Sequence, residues 1–423
     1  MTALTAAGLL VFLLLSVPIA FSLGLSGLLG IVSANIPILV LPQRMIIGLN
    51  HFTLIALPFF IFAGALMDQG GISARLIRMV RAYVGHRTGG VAIVTVIAAM
   101  IFSSLSGSGS ATTAALGSIL IPAMISRGYS RSYAASVQAV SGELGIIIPP
   151  SITFILFGVA TDTSIGDLFM AGVIPGVLIG CVLIATSYFI AKRKGYLGVE
   201  KSTWSERFAA TRKAIWALFM PIIVLGGIYG GIFTATEASV VAVAYAFFVG
   251  TVVYREITWT GFKKAINDTL ISSGMIMFII GTATVFSWIL TRAQVPQHLA
   301  MMFAEMSSSP YMFLFFINVF LFVVGMFFDA APAVVVLAGI LTPIAQTFGI
   351  DPVHFGVIFA VNMALGMVTP PVGVNLFVAC RLAEISMEEM MKDLIPYWLV
   401  LVSTLFVITY VPQLSLWLPS LVK

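Results

Sequence analysis

Apolar runs of about 20 residues, the length that takes a helix across the hydrocarbon core, follow one another along most of the chain. Runs of that length make helices rather than a barrel. Residues 3–32 read as a first membrane helix bent at Pro18, 35–49 as a shorter apolar piece, and 52–67 as a crossing that stops at Asp68-Gln69-Gly70-Gly71. In 72–87, Arg75, Arg78 and Arg81 are interleaved with Leu76, Met79, Val80 and Tyr83, the pattern of an amphipathic helix along a membrane surface. The pieces 89–104 and 110–126 are each short for a crossing. They flank the serine- and glycine-rich stretch 103–110, which predicts a re-entrant hairpin with its tip near mid-membrane. Residues 132–160 cross with an interruption at Pro149-Pro150, and 168–191 return. Then come a pair at 214–233 and 235–254, an outward crossing at 266–291 and a second surface helix at 294–308. The pieces 310–327 and 331–347 predict a second hairpin, 353–380 a crossing broken at Pro370-Pro371, and 394–420 the last helix.

The two hairpin regions are copies of one unit. A constant offset of 221 takes Pro122 to Pro343, Gly128 to Gly349, Gly145 to Gly366, Pro149-Pro150 to Pro370-Pro371 and Ile174-Pro175 to Ile395-Pro396. So many helix breakers at one offset, with no gap, indicate an internal duplication of a broken-helix unit.

Composition fixes the solvent. The 423 residues are 60% hydrophobic and 9% charged, with a mean hydropathy of +1.10. A soluble domain carries about 25% charged residues, so the bilayer is the expected surrounding. The net charge of +5 reflects cytoplasmic loops, and no nucleic-acid partner is expected. Cys181 and Cys380 both lie in apolar runs, which argues against a disulfide or thiol metal site. The four histidines are scattered, and no Gly-Lys-Ser/Thr phosphate loop is present, so ATP is not the energy source. Residues 1–31 lack a basic start, so no cleavable signal is expected. The densest basic stretch, Lys192, Arg193, Lys194, Lys201, Arg207, Arg212 and Lys213, marks the cytoplasm. Counting crossings from it puts 72–87, 127–131, 255–264 and 381–392 inside, and 161–167, 292–309 and 348–352 outside. The two units then enter from opposite faces. Inverted repeats whose broken helices meet at mid-membrane are the plan of secondary transporters.

The breaks carry the chemistry. Each proline removes the amide that the carbonyl four residues earlier would use. Pro149 and Pro150 free the carbonyls of Gly145 and Ile146, and Pro370 and Pro371 free those of Gly366 and Met367. Bare carbonyls in hydrocarbon are costly, and a hard cation, which takes oxygen ligands, can satisfy them. Ser103, Ser104 and Ser106 face the first break from its hairpin, Gly325 faces the second, and Thr369 adds a hydroxyl. The expectation is one Na+ site per repeat, with no organic cofactor. Each outgoing hairpin helix starts at its tip, with Ser110, Thr112 and Thr113 in the first and Asp329 before Pro332 in the second as capping groups. Positive helix ends there suit an anion. Ser106, Gly107, Ser108, Gly109, Ser110 and Thr112 are the candidate substrate groups, with Asn362 and Asn375 further along the second repeat. Glu143, Asp329 and Asp162 are charged at depth. Glu143 suits either capping or proton or cation coupling, whereas Asp329 reads as an N-cap. Two Na+ with one monovalent anion carry one positive charge inward, which gains about 2.3 kcal/mol per 100 mV.

The run 103–113, the segment Gly-Glu-Leu-Gly-Ile-Ile-Ile-Pro-Pro-Ser at 142–151 and the segment Gly-Met-Val-Thr-Pro-Pro-Val-Gly-Val-Asn at 366–375 resemble the large membrane subunit of the tripartite ATP-independent periplasmic (TRAP) transporters. The likeness covers the whole chain. It implies an all-α polytopic membrane protein with inverted repeats, two re-entrant hairpins and two proline-broken helices, working as an elevator-type, Na+-driven importer of organic acids in a bacterial inner membrane. Its implied partners are a small four-helix membrane subunit and a periplasmic substrate-binding protein. The implied organisation is scaffold helices at 1–68, a cytoplasmic arm at 72–87, transport repeat 1 at 89–191, a loop and scaffold pair at 192–265, a helix and periplasmic arm at 266–308, and transport repeat 2 at 310–423. Carried over by matching position, one Na+ site uses Ser103, Ser106, Gly145, Ile148 and Pro149. The other uses Gly325, Gly366, Thr369 and Val372, the last through its backbone. A stand-alone carboxylate symporter is the nearest alternative. A channel would need a symmetric oligomer around one pore, and an enzyme is disfavoured because no nucleophile–base pair stands out at depth.

Overall fold

The computed structural model describes residues 2–306 and 309–422, and among them every regular element is helical. Met1, Ser307, Ser308 and Lys423, at the ends of the expected segments 1–68, 266–308, 294–308 and 310–423, lie outside the described residues. The chain opens with α1 (Thr2–Leu14) and α2 (Ile19–Ser33), and here the expectation for 3–32 is corrected. Ser16 adopts a left-handed φ of 59°, and Pro18 has no N–H for the preceding turn. The chain therefore reverses into two helices. Gly8 faces Leu29 and Gly30 faces Thr5, so the two lie antiparallel.

Next come α3 (Val40–Leu49), α4 (Ala56–Gln69) and α5 (Ile72–Val84), then the first hairpin α6 (Gly90–Ser106) and α7 (Gly109–Ile125). The first broken crossing is α8 (Arg131–Gly142), α9 (Leu144–Ile147) and α10 (Ile152–Thr161), followed by α11 (Ile165–Lys194). The middle of the chain is α12 (Trp204–Tyr229), α13 (Ala235–Phe248), α14 (Trp259–Arg292) and α15 (Val295–Met306). The second unit repeats the first: hairpin α16 (Pro310–Phe327) and α17 (Ala330–Thr347), broken crossing α18 (Pro352–Gly366) and α19 (Val374–Ala383), then α20 (Met387–Tyr410) and α21 (Gln413–Val422). Polar residues at the helix starts explain several boundaries. Thr203, Thr234 and Ser386 each form a capping box with the glutamate three residues on.

By length and apolarity, nine helices among the described residues can cross a membrane, α16 and α17 among them. The arms of the first hairpin have 17 residues each and fall just short. Helix α5 keeps the amphipathic character read from its sequence. It buries Ile72, Leu76 and Val80 against the chain itself, mainly α6 and α12. Arg75 on its polar side pairs with Glu256 at 2.6 Å.

The two repeats interlock. The second half of each broken crossing packs on the hairpin of the other repeat, α10 on α17 and α19 on α7. This exchange sets the first break among buried residues, while Pro371 of the second is exposed. Lipid gives helices little hydrophobic reason to associate, so close packing and buried polar bonds hold such bundles. Phe157 packs at 5.9 Å from Phe359 and 6.3 Å from Phe355, between α10 and α18. Tyr133 of α8 donates to the Ser187 carbonyl at 2.9 Å, Ser187 and Tyr397 share a 2.9 Å hydroxyl bond, and Lys194 pairs with Asp393, tying α8, α11 and α20.

A second polar cluster ties α16, α18 and α20. Asn362 donates to the Asn318 side-chain oxygen at 2.7 Å, Asn318 donates to the Thr409 hydroxyl at 3.1 Å, and a ring nitrogen of His354 lies 3.1 Å from the Thr409 carbonyl. Asn318→Ala removes the centre of this cluster, leaving the Thr409 hydroxyl without a partner and Asn362 with only its bond to the Ile358 carbonyl. We expect a loss of about 1–2 kcal/mol, read as a lower midpoint in thermal unfolding of the purified protein.

Candidate functional site

The first hairpin turns at Gly107, whose φ of 63° is a conformation that glycine tolerates best. Its carbonyl accepts a bond from the Ile152 amide at 3.2 Å, which straps the tip to the first break. In the second repeat the Gly373 amide reaches the Met326 carbonyl at 3.4 Å. Ile152 and Gly373 are related by the same offset of 221, so the donors on the two breaks are equivalent, while the acceptor on the second hairpin, Met326, lies two residues before the counterpart of Gly107. Both Pro-Pro bonds are cis.

Close approach at these junctions depends on glycine. A Cβ at Gly145 would lie 2.7 Å from the Ser108 carbonyl carbon and 2.8 Å from Thr112 Oγ1. A Cβ at Gly366 would run into the Gly325 backbone, and one at Gly325 would lie 3.0 Å from the Gly366 Cα. Gly145 with the tip at 106–112, and Gly366 with Gly325, are thus brought together as the sequence led us to expect.

The carbonyls freed by the prolines are a correction. Three of the four have found partners inside the protein. Ile146 accepts from the Ser151 hydroxyl at 2.5 Å, Gly366 from the Thr369 amide at 3.0 Å, and Met367 from the Asn375 amide at 3.1 Å. Gly145 is the one for which no such partner occurs among the described residues. The breaks are therefore not rows of bare oxygens. A carbonyl has two lone pairs, so each remains able to offer its second one. Ile148 and Pro149 sit on the first break and half-buried Val372 follows the second.

The hydroxyls differ between the two junctions. Ser103 is fully buried and its Oγ has no partner, an orphan that a ligand would satisfy. Ser106 and Thr112 share a 2.7 Å hydroxyl bond. Thr369, in the second repeat, donates to the Leu365 carbonyl at 2.7 Å and accepts from the Trp398 indole N–H at 2.9 Å. Trp398 escaped the sequence reading because it lies 29 residues away on another helix. No group of three or more His, Cys, Asp or Glu side chains that could hold a metal occurs among the described residues.

A cavity of about 1080 Å³ lies between the two tips. Residues 106–111 of the first hairpin and 327–332 of the second form one wall, and α4 and α14 the other. Ser106, Gly107, Ser108, Gly109 and Ser110 line it; Thr112 lies just behind. The helices α7 and α17 begin at this cavity, capped by Ser108, in place of the expected Ser110, Thr112 and Thr113, and by Asp329, so both present positive ends to it. Asp329 caps α17 through the Ala330 amide at 2.7 Å, the role read for it. Asn362 does not reach the cavity and is bound to Asn318. Asn375 is fully buried beside Gly109, with neither side-chain polar atom partnered. Glu143 is fully buried with both carboxyl oxygens unpartnered, whereas Asp162 is exposed at the end of α10. Among the described lining residues are Asp68, Asp268 and Asp329 but no lysine or arginine.

Membrane-length apolar helices, two hairpins and two interrupted helices gathered around one polar-tipped cavity define a polytopic membrane permease. Residues 6–414 match the family described as the tripartite ATP-independent periplasmic transporter, DctM component, and the chain belongs to it. It is a transport subunit of the inner membrane, not an enzyme. It is 42% identical over 400 residues to the C4-dicarboxylate TRAP transporter large permease protein DctM of Pseudomonas aeruginosa, covering 94% of each chain. It is also 42% identical over 407 residues to the isethionate TRAP transporter permease protein DctMQ of Oleidesulfovibrio alaskensis. That match takes in 96% of this chain but only 64% of the longer relative. The fold resembles that of the Alcanivorax borkumensis YdaH transporter, with a TM-score of 0.63 and 15% identity over 89% of this chain and 87% of that one.

Proposed function

We propose that this chain is the large subunit of a Na+-driven importer of an organic acid. The substrate is a C4-dicarboxylate, a sialic acid or another sugar or keto acid, handed over by a periplasmic binding protein, and a small four-helix membrane subunit completes the complex. The observation that carries the reading is the cavity wall. It joins two positive helix ends to three aspartates and no basic side chain, so an anion bound there needs mobile cations to balance it. The junctions beside the cavity offer oxygen groups suited to Na+. One cation is met by Ser103, Ser106, Gly145, Ile148 and Pro149, the other by Gly325, Gly366, Thr369 and Val372. Ser106 through Ser110 and Thr112 meet the acid.

In this reading the hairpins are re-entrant and enter from opposite faces. The repeats at 89–191 and 310–423 move together as an elevator against the scaffold of 1–68 and the 214–254 pair, with 72–87 and 294–308 as connecting arms. Packing of α2, α3, α4 and α13 around α14 or one another supports the scaffold as a unit.

The test is uptake into proteoliposomes holding all three components, with a panel of labelled acids. Uptake of one acid class requires both Na+ and the binding protein, and an inside-negative potential speeds it when the acid is monovalent, whereas a dicarboxylate moving with two Na+ is indifferent to it. Equal uptake with K+ in place of Na+ overturns the coupling, and equal uptake without the binding protein leaves a stand-alone symporter.

A further inference from the structure

The two junctions are not equivalent, and the difference lies in how their hydroxyls are held. A hydroxyl has one hydrogen and two lone pairs. At Thr369 the hydrogen goes to the Leu365 carbonyl and one lone pair receives the Trp398 indole N–H. A single lone pair is left, and the two bonds fix its direction. Thr369 is 3% exposed, so bulk water has little access to it. The indole is itself packed against Phe322 of α16, with ring centroids 5.8 Å apart. The same hairpin helix carries Gly325.

The first repeat has no such device. The offset of 221 places Ile148 where Thr369 stands and Val177 where Trp398 stands. Of the two hydroxyls assigned to its cation, that of Ser106 is bound to the Thr112 hydroxyl at 2.7 Å, and that of Ser103 is buried without a partner. The Trp–Thr pair therefore belongs to the second junction alone.

We infer that Trp398 is a positioning residue for the second cation site: its N–H fixes the rotation of the Thr369 hydroxyl and so sets the Na+ affinity of that site. The inference rests on the assignment of Thr369 as a cation ligand. It acts by preorganisation, since a hydroxyl already aimed loses little freedom when a cation arrives.

Trp398→Phe keeps the ring against Phe322 and removes only the donor. In proteoliposomes with the full complex, we expect the Na+ concentration for half-maximal uptake to rise about fivefold, the scale of one hydrogen bond. The maximal rate should stay within about twofold, since the pathway itself is untouched. The double variant Trp398→Phe/Thr369→Ala should match Thr369→Ala alone, because the indole acts through that hydroxyl. A second readout is spectroscopic. Replacing K+ by Na+ should shift the indole fluorescence of the wild-type complex, and Thr369→Ala should abolish the part of that shift carried by Trp398. A rise for Thr369→Ala with none for Trp398→Phe overturns the positioning role and leaves the cation site standing. No change for Thr369→Ala overturns both. Additive effects in the double variant assign Trp398 to packing and overturn the inference as well.

Discussion

Gly366→Ala is expected to reduce Na+-driven uptake at least about tenfold. The new Cβ would meet the Cα, carbonyl carbon and oxygen of Gly325. None of these can move aside as a side chain would. The end of α16 must lift off α18, at a cost of about 1–3 kcal/mol by analogy with overpacked cores. The displacement falls at Gly325, one of the groups proposed for the second cation, so function is expected to suffer more than stability. Gly226→Ala serves as the control, since a Cβ there meets nothing within 4 Å and uptake should be unchanged. Radiolabelled uptake beside thermal unfolding separates the two effects. If Gly366→Ala transports normally, the glycine pair is not a working junction.

Ser103→Ala is expected to raise the Na+ concentration for half-maximal uptake about tenfold or more without destabilising the protein. The usual objection to serine substitutions is that they break internal bonds. Here the hydroxyl is fully buried with no partner, so its removal relieves an unsatisfied group rather than creating one. Loss of a ligand to a charged species is worth about 1.5–3 kcal/mol, and 1.4 kcal/mol is tenfold in affinity. Unchanged Na+ dependence together with unchanged stability would leave Ser103 without a role in cation binding.

Much of the architecture was legible because breakers are local signals. The prolines at 149–150 and 370–371, the glycines at 145 and 366, and the polar run at 103–110 each impose their effect within a few residues. Their constant offset revealed the duplication before any coordinates did. The hairpins and broken crossings accordingly appear at the expected positions. The N-terminal reversal was not legible. An apolar run with one proline fits a bent crossing as well as an antiparallel pair, and the left-handed turn at Ser16 leaves no mark in composition.

The site was legible in part for the same reason. Sequence shows that a proline withholds an amide, but not who replaces it. Ser151 supplies a hydroxyl five residues from Ile146, and Asn375 supplies its amide to Met367 across the kinked segment. Both depend on the path of the chain through the break. Asn362 stands among the candidate substrate groups in the sequence, yet its side chain is bound to Asn318 and through it to Thr409, 44 and 47 positions away. Long-range bonds of that kind have no local signature, and Trp398 was missed on the same ground.

The central claim is that each repeat holds one coupling cation where its hairpin tip meets its break. Equilibrium binding of ²²Na+ to the purified complex tests it most directly. The account predicts saturable binding at one site per repeat, with Ser103→Ala weakening one component and Gly366→Ala the other. Binding of no more than one Na+ per chain, or of two that neither substitution weakens, would contradict it.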